Sequence, residues 1–579
     1  MTWLFVLLFF FSIIGYYSFF KVNLNGRSAE FPLLFIAVAV VFTYSFGLIG
    51  LLDIGYYLFL LCGCILLLLT VYQLLTHKKS LAKPLLTSYI SSSFIFMAIG
   101  ILWMIIITRN VNPMHPDDFS HWLRICKVIH FDDSLPVTPE IDYLTYPPGT
   151  AVWAYIVTKT IGYSVGNCYF AQVIVNLAAC CLFFGITTNN SPKLKLLNRI
   201  LLGLCAGAFF VFSNAAICRI YTLTVDCVLG LVALAAIIFI IQMRDNLTDY
   251  ISLIVLLVFL ALIKIPGILF VLYAVALYLI MKKRRKINRF NAGIDITLLA
   301  AIPIIFIVFY ALRNSLIYSE IGMSEQAFSI QRFLSLYFEK DSSLIQSVIQ
   351  NVMYHSVNVI GPGTSRVKFL LASFAGLLCM IIYDKKIAKK AKSDSLLLFT
   401  YAFVCYWIFI MFLILTYIFS MQNYEAEGLG SYYRYISTIS IMICGIFTYR
   451  LLDVFAKNEK ALSAVFMSSY ILIVSLAGHC IFDYSYMLKS EGFSYYHDLP
   501  WRRLSSATEE INYYNEDSYL IVWDESIFED YSFPEFCIVN LSETYFRSTK
   551  IDILVIDLDS DECDIDYDHY DNVVIVKNN

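Results

Sequence analysis

Apolar runs of about twenty residues, each closed by a short polar stretch, recur from Trp3 to about residue 485 of the 579-residue chain. A helix of that length crosses the ~30 Å hydrocarbon layer of a bilayer. The pattern predicts spans over 3–20, 32–52, 56–76, 85–107, 167–188, 197–216, 222–242, 250–265, 267–281, 292–312, 367–384, 396–419, 433–453 and 462–485. The fold class expected is therefore an all-α polytopic membrane protein of about 12–14 transmembrane helices. After Met487 the period changes. Leu520–Trp523, Phe536–Val539, Ile553–Ile556 and Val573–Val576 are short β-type runs between polar turns, and 501–514 reads as a helix. Three regions follow: N-terminal transmembrane helices (1–84), a main membrane domain (85–485) with a long loop at 108–166, and a small α/β domain (486–579).

Charge gives the topology. Lys21/Arg27, His77–Lys79, Lys193/Lys195/Arg199, Arg244, Lys282–Lys286, 385–392 and Lys457/Lys460 all fall on alternate connections. Basic loops stay in the cytoplasm. The N-terminus, the loops at 108–166, 217–221, 264–267, 313–366 and 420–432, and the tail are then extracytoplasmic. This holds only if 150–163 does not span. That stretch is short and carries Lys159, so a helix lying along the outer interface is expected. The first segment lacks a basic start and a small-residue cleavage site and reads as a retained helix.

Composition agrees with a membrane location: 59% of residues are hydrophobic, 15% are charged and the mean hydropathy is +0.71. The net charge of -3, with about half of the 44 acidic residues beyond Met487, excludes nucleic acid as a partner. The 15 cysteines are mostly single and within apolar runs, which argues for buried apolar residues rather than a disulfide or metal framework. The acidic run Asp557–Asp564 lacks the glycine and terminal glutamate of a calcium loop and reads as a solvated turn.

Uncommon residues collect in the outer loops. Asp117-Asp118-Phe119-Ser120-His121-Trp122 follows the fourth apolar run, with Tyr146-Pro147-Pro148-Gly149 beyond it. Adjacent carboxylates can raise one another's pKa. Either could take a proton from an acceptor hydroxyl, or both could hold a divalent cation such as Mg, Mn or Ca. They could also be interfacial polar residues. His121 could pack, cap or touch a ligand, and Asp132-Asp133 looks like a solvated turn. Lys264, in Lys264-Ile265-Pro266-Gly267, could snorkel to headgroups or offer a point charge to a phosphate. Arg434, between Tyr433 and Tyr435 at a helix start, could bind phosphate with two parallel hydrogen bonds or pair with Glu425. Asp226, one turn into a helix, is costly there unless used. Gly361-Pro362-Gly363 reads as a turn, and Arg219-Ile220-Tyr221 marks another outer edge.

These residues together resemble the GT-C superfamily of integral-membrane glycosyltransferases, which includes protein O-mannosyltransferases and aminoarabinose transferases. Four features carry the resemblance: the acidic pair Asp117-Asp118, the Tyr146–Gly149 turn, the Lys264 break, and the Tyr424-Glu425 to Arg434-Tyr435 segment. It implies a polyprenyl-phosphate-linked sugar donor and an extracytoplasmic acceptor: a surface glycan, lipid or protein. Asp117 would be the general base, and Asp118 its neighbour, orienting the acceptor or a metal. Lys264 and Arg434 would hold the leaving phosphate, while His121, Tyr146, Asp226, Glu425 and Tyr433 would line the substrate site. The three helices before the acidic loop and the acidic tail depart from the simplest members. Two rivals stand beside it. A lipid-linked-glycan transporter or flippase would place charges along a mid-membrane path and often shows internal repeats, of which none is visible. A glycan polymerase would carry arginine-rich outer loops.

Overall fold

A computed structural model describes residues 2–76, 79–108, 117–136, 146–186, 192–217, 222–286, 291–320, 330–360, 365–388, 393–457, 470, 518–524, 550–556 and 569–576. Seventeen helices matter here. They are α1 (Thr2–Val22), α2 (Phe31–Gly47), α3 (Leu52–Thr76), α4 (Ser92–Thr108), α5 (Leu123–Asp132), α6 (Gly149–Ile161), α7 (Val165–Cys180) and α8 (Pro192–Val211). Then come α9 (Asp226–Gln242), α10 (Leu247–Ile263), α11 (Gly267–Arg285), α12 (Ile302–Glu320), α13 (Ile330–Phe338), α14 (Ser342–Val357), α15 (Ser365–Ile382), α16 (Asp394–Phe419) and α17 (Tyr432–Ala456). Among the described residues nine helices are long and apolar enough to cross a membrane, and α2, α9 and α10 are shorter apolar helices. Thirteen of the fourteen expected spans coincide with helices, and the last, 462–485, lies outside the described residues apart from Tyr470.

Helix ends follow local chemistry. Ser164, Asn246 and Ser393 each accept a hydrogen bond from the backbone amide three residues on, at the starts of α7, α10 and α16. Pro266 ends α10 and opens α11, because it lacks the amide that would continue the first helix.

Helix α9 is the centre of the bundle. It is buried from Asp226 to Ile240 and packs on α7, α10, α11 and α17. Its contact with α17 is close because both helices present glycine. A Cβ on Gly230 would stand 2.7 Å from the Thr438 carbonyl oxygen, and one on Gly445 would stand 2.1 Å from Leu234. Without water to drive association, such backbone approach is how membrane helices gain dispersion contact. The same approach brings Asp226 beside Arg434.

Polar groups gather at the two ends of α9, ~25 Å apart at 1.5 Å per residue. At its C-terminal end Arg244 pairs with Asp249 at 2.7 Å, and Arg27 donates to the Gln242 carbonyl at 2.7 Å. Arg27 also pairs with Glu30, Lys282 with Asp295, and Arg285 donates to the Ile241 carbonyl. Arg284 pairs with Asp394 at the start of α16, and Arg450, within α17, pairs with Asp384, both at 2.7 Å.

Segment 150–163 is a helix, as expected, and α6 is covered by protein. Every residue from Gly149 to Thr158 is buried, against α2, α5 and α7. Lys159, which read as an interfacial charge, pairs with Asp133 at 2.7 Å, and Tyr155 donates to the same carboxylate at 2.8 Å. Asp133 is a part-exposed turn residue, as expected, that also holds α6. Of the four expected C-terminal strands, β1 (Ser518–Asp524), β2 (Lys550–Ile556) and β3 (Asn572–Val576) form a parallel sheet in the order β2-β1-β3. The expected strand at 536–539, the helix at 501–514 and the acidic run 557–564 lie outside the described residues.

Candidate active site

Four separate elements meet at the N-terminal end of α9. Asp117 precedes a π-helical turn (Asp118–Trp122) whose next amide, Leu123, donates five residues back to the Asp118 carbonyl. Such turns are uncommon and concentrate at functional sites. Asp226 opens α9, Lys264 sits in the break between α10 and α11, and Arg434 lies in the first turn of α17.

Lys264 Nζ is 3.0 Å from Asp226 Oδ1, and Arg434 Nε is 3.2 Å from Asp226 Oδ2. Arg434 Nη1 pairs with Asp117. Lys264 and Asp226 are buried, whereas Asp117 and Arg434 keep 24% and 22% of their side chains exposed. Lys264 is therefore not a snorkelling lysine. Tyr435 and Tyr146 place ring centroids 5.1 and 5.9 Å from its Nζ, and Arg434 lies 5.5 Å from the Tyr435 ring. These are cation–π distances. The Arg434 Nε and Asp226 Oδ2 atoms pair by charge but form no hydrogen bond, so both keep hydrogen-bonding capacity inside the protein.

Asp118 occupies a different environment. It is fully buried, accepting from Tyr169 Oη at 2.7 Å and from the Leu223 amide at 2.8 Å. Burial pushes its carboxyl up to about 7. The Tyr169 and Leu223 hydrogen bonds oppose that rise, Asp117 adds to it and Arg434 opposes it. A carboxyl raised in the folded chain contributes stability fully present below its unfolded value, roughly 3.9, and lost as pH rises through about 7. Asp118→Asn removes this dependence. Thermal unfolding between pH 5 and 8 should show the wild type losing stability relative to Asp118→Asn, on the order of a few kcal/mol. Parallel curves would mean that Asp118 ionises as freely in the folded chain as in the unfolded one.

The Tyr146–Gly149 turn reaches this site by close packing. A Cβ on Gly149 would stand 2.6 Å from the Leu262 carbonyl oxygen, in the last turn of α10 just before the break that carries Lys264. Tyr146 stacks on Trp122 (centroids 5.5 Å, 15°) and meets His121 edge-on at 5.6 Å. Gly149→Ala is expected to destabilise the protein by about 1–3 kcal/mol through overpacking against backbone. Thermal unfolding in nanodiscs checks this, and a wild-type curve would show that the turn yields.

Of the other expected site residues, Glu425 is elsewhere. It caps a short turn, accepting from the Gln422 amide at 3.3 Å, and Arg434 pairs with Asp117 and Asp226 instead. Tyr433 faces His355 of α14, with Oη 3.5 Å from Nδ1. Arg219-Ile220-Tyr221 and Gly361–Gly363 lie outside the described residues. Sequence reasoning missed Tyr169, Gln172, Leu223 and His355. For the first two a signal existed: Tyr169, Gln172 and Asn176 are spaced to share one face of an otherwise apolar α7.

A divalent cation fits this donor set poorly. Both Asp118 oxygens accept from protein donors and Asp117 is paired with Arg434. Among the described residues no three His, Cys, Asp or Glu side chains group as metal ligands. Comparison with protein-family models, with curated proteins and with solved structures finds no match to this chain.

Proposed function

We propose that this protein is a membrane glycosyltransferase that moves a sugar from a polyprenyl-phosphate donor to an extracytoplasmic acceptor. The observation that carries the reading is the constellation Asp117–Arg434–Asp226–Lys264 at one end of the bundle. It sets the partly exposed Asp117 carboxylate beside Arg434, whose Nε–H donor is unused, and joins Arg434 to Lys264 through the buried Asp226. Asp117 is the general base that takes the acceptor hydroxyl proton. Arg434 and Lys264 stabilise the charge that develops on the leaving lipid phosphate, the kind of charge that prepositioned cations favour most. Tyr146 and His121 border the site, and Tyr433 with His355 forms an aromatic corner near its rim. The basic connections at the opposite end support a cytoplasmic assignment for that end. The reaction face and the acidic C-terminal region, read as a small α/β domain, are then extracytoplasmic.

The test is sugar transfer in proteoliposomes from a panel of polyprenyl-phosphate sugars, with and without a chelator. Release of polyprenyl phosphate coupled to glycosylation of an acceptor supports the reading. No turnover with any donor, together with scrambling of lipid-linked glycan across the bilayer, would replace it with a flippase. Loss of turnover with the chelator would restore a divalent cation at the acidic pair.

A further inference from the structure

Asp118 is the member of the acidic pair that the proposed chemistry does not use, and its contacts point to another task. Asp118 Oδ1 accepts from the amide of Leu223, three residues before Asp226. One residue earlier, the Thr222 carbonyl accepts from Gln172 Nε2 at 3.0 Å, and Thr222 and Thr224 join hydroxyls at 2.6 Å. The Val225 carbonyl then accepts from the Leu229 amide at 2.8 Å, so the segment passes directly into the first turn of α9. Tyr169 holds the second oxygen of Asp118. Tyr169 and Gln172 stand three residues apart on one face of α7. The segment before Asp226 is thus gripped from the π-helical turn and from α7 at once, and all four partners are buried. Asp226 in turn is the common partner of Lys264 and Arg434.

We propose that Asp118, Tyr169 and Gln172 form a positioning clamp on residues 222–225. The clamp fixes Asp226, and with it the placement of Lys264 and Arg434, the two cations that would face a phosphate monoester. The phosphate clause rests on the glycosyltransferase reading; the clamp itself does not.

The test uses the full chain in nanodiscs with Asp118→Asn, Asp118→Ala and Gln172→Ala. Asparagine keeps an acceptor oxygen for the Leu223 amide and an amide for the Tyr169 hydroxyl; alanine removes both. Hydrogen exchange of a peptide covering 222–226 should quicken about tenfold or more in the two alanine variants and stay near wild type in Asp118→Asn. Affinity for a short-chain polyprenyl monophosphate should fall about tenfold in the alanine variants and hold in Asp118→Asn. Unchanged exchange in Asp118→Ala would overturn the clamp. So would Asp118→Asn failing as badly as Asp118→Ala, because the carboxylate charge would then be what matters. If the wild type binds no polyprenyl phosphate, the ligand assignment falls with the glycosyltransferase reading, and exchange alone decides the clamp.

Discussion

Asp117→Asn should slow sugar transfer by about 10²–10⁴-fold, the range that a positioned general base supplies. Asparagine keeps the size of the side chain and leaves a carbonyl oxygen that can still accept from Arg434, the partner of Asp117. The fold should therefore persist and donor affinity should change by only a few-fold. Single-turnover transfer with donor bound in advance separates the chemical step from binding. A variant as fast as wild type would remove Asp117 as the base. A variant slow only through weakened donor binding would make it a donor-binding residue instead. Asp117 is the better candidate of the pair on access alone: 24% of its side chain is exposed, whereas Asp118 is fully buried.

Lys264→Met is expected to destabilise the protein by about 3–5 kcal/mol, because removing one member of a buried ion pair strands the other. Asp226 keeps Arg434 at 3.2 Å, which argues for the lower end of that range. Adding Asp226→Asn should recover most of the loss, since a neutral amide needs no counter-charge in the interior. Donor binding should not recover, because the point charge for the phosphate is gone. A double-mutant cycle on unfolding, beside a binding series on the same four proteins, separates the two roles. If the double variant is no more stable than Lys264→Met, the pair is not coupled. If it binds donor as wild type does, Lys264 has no part in holding phosphate.

The helices were legible because hydrocarbon demands length and apolarity, and both are written locally. The gathering of Arg27, Arg244, Lys282 and Arg285 near one end of α9 was legible for a similar reason: each stands at or near a helix end in the sequence itself. Partnership was not. Lys159 looked interfacial because its counter-ion Asp133 lies 26 residues earlier, and only packing of α5 on α6 brings them together. Glu425 looked like the companion of Arg434 because it is close in sequence, yet local capping claims it. Asp226 could be flagged as costly, but its service to two cations depends on how α9 meets α17 and the α10–α11 break. The Tyr146–Gly149 turn could be recognised as non-helical, while its docking on Leu262 follows from a missing side chain and leaves no periodic trace. Asp118 and Asp117 are neighbours in the chain, and their different burial and partners follow from tertiary packing.

Helix α9 is secured at both extremities: Asp226 by two cations at one end, and the carbonyls of Ile241, Gln242 and Met243 by Arg285 and Arg27 at the other. Two glycine contacts on α9 and α17 hold these helices without slack between those ends. Mechanically it is a strut: sliding or tilting it breaks the charge pairs of Asp226 at one end or the arginine–carbonyl hydrogen bonds at the other. On the glycosyltransferase reading, such a strut would hold Lys264 and Arg434 at a fixed spacing, and any movement needed for substrate exchange would fall to parts of the chain that do not bear on it.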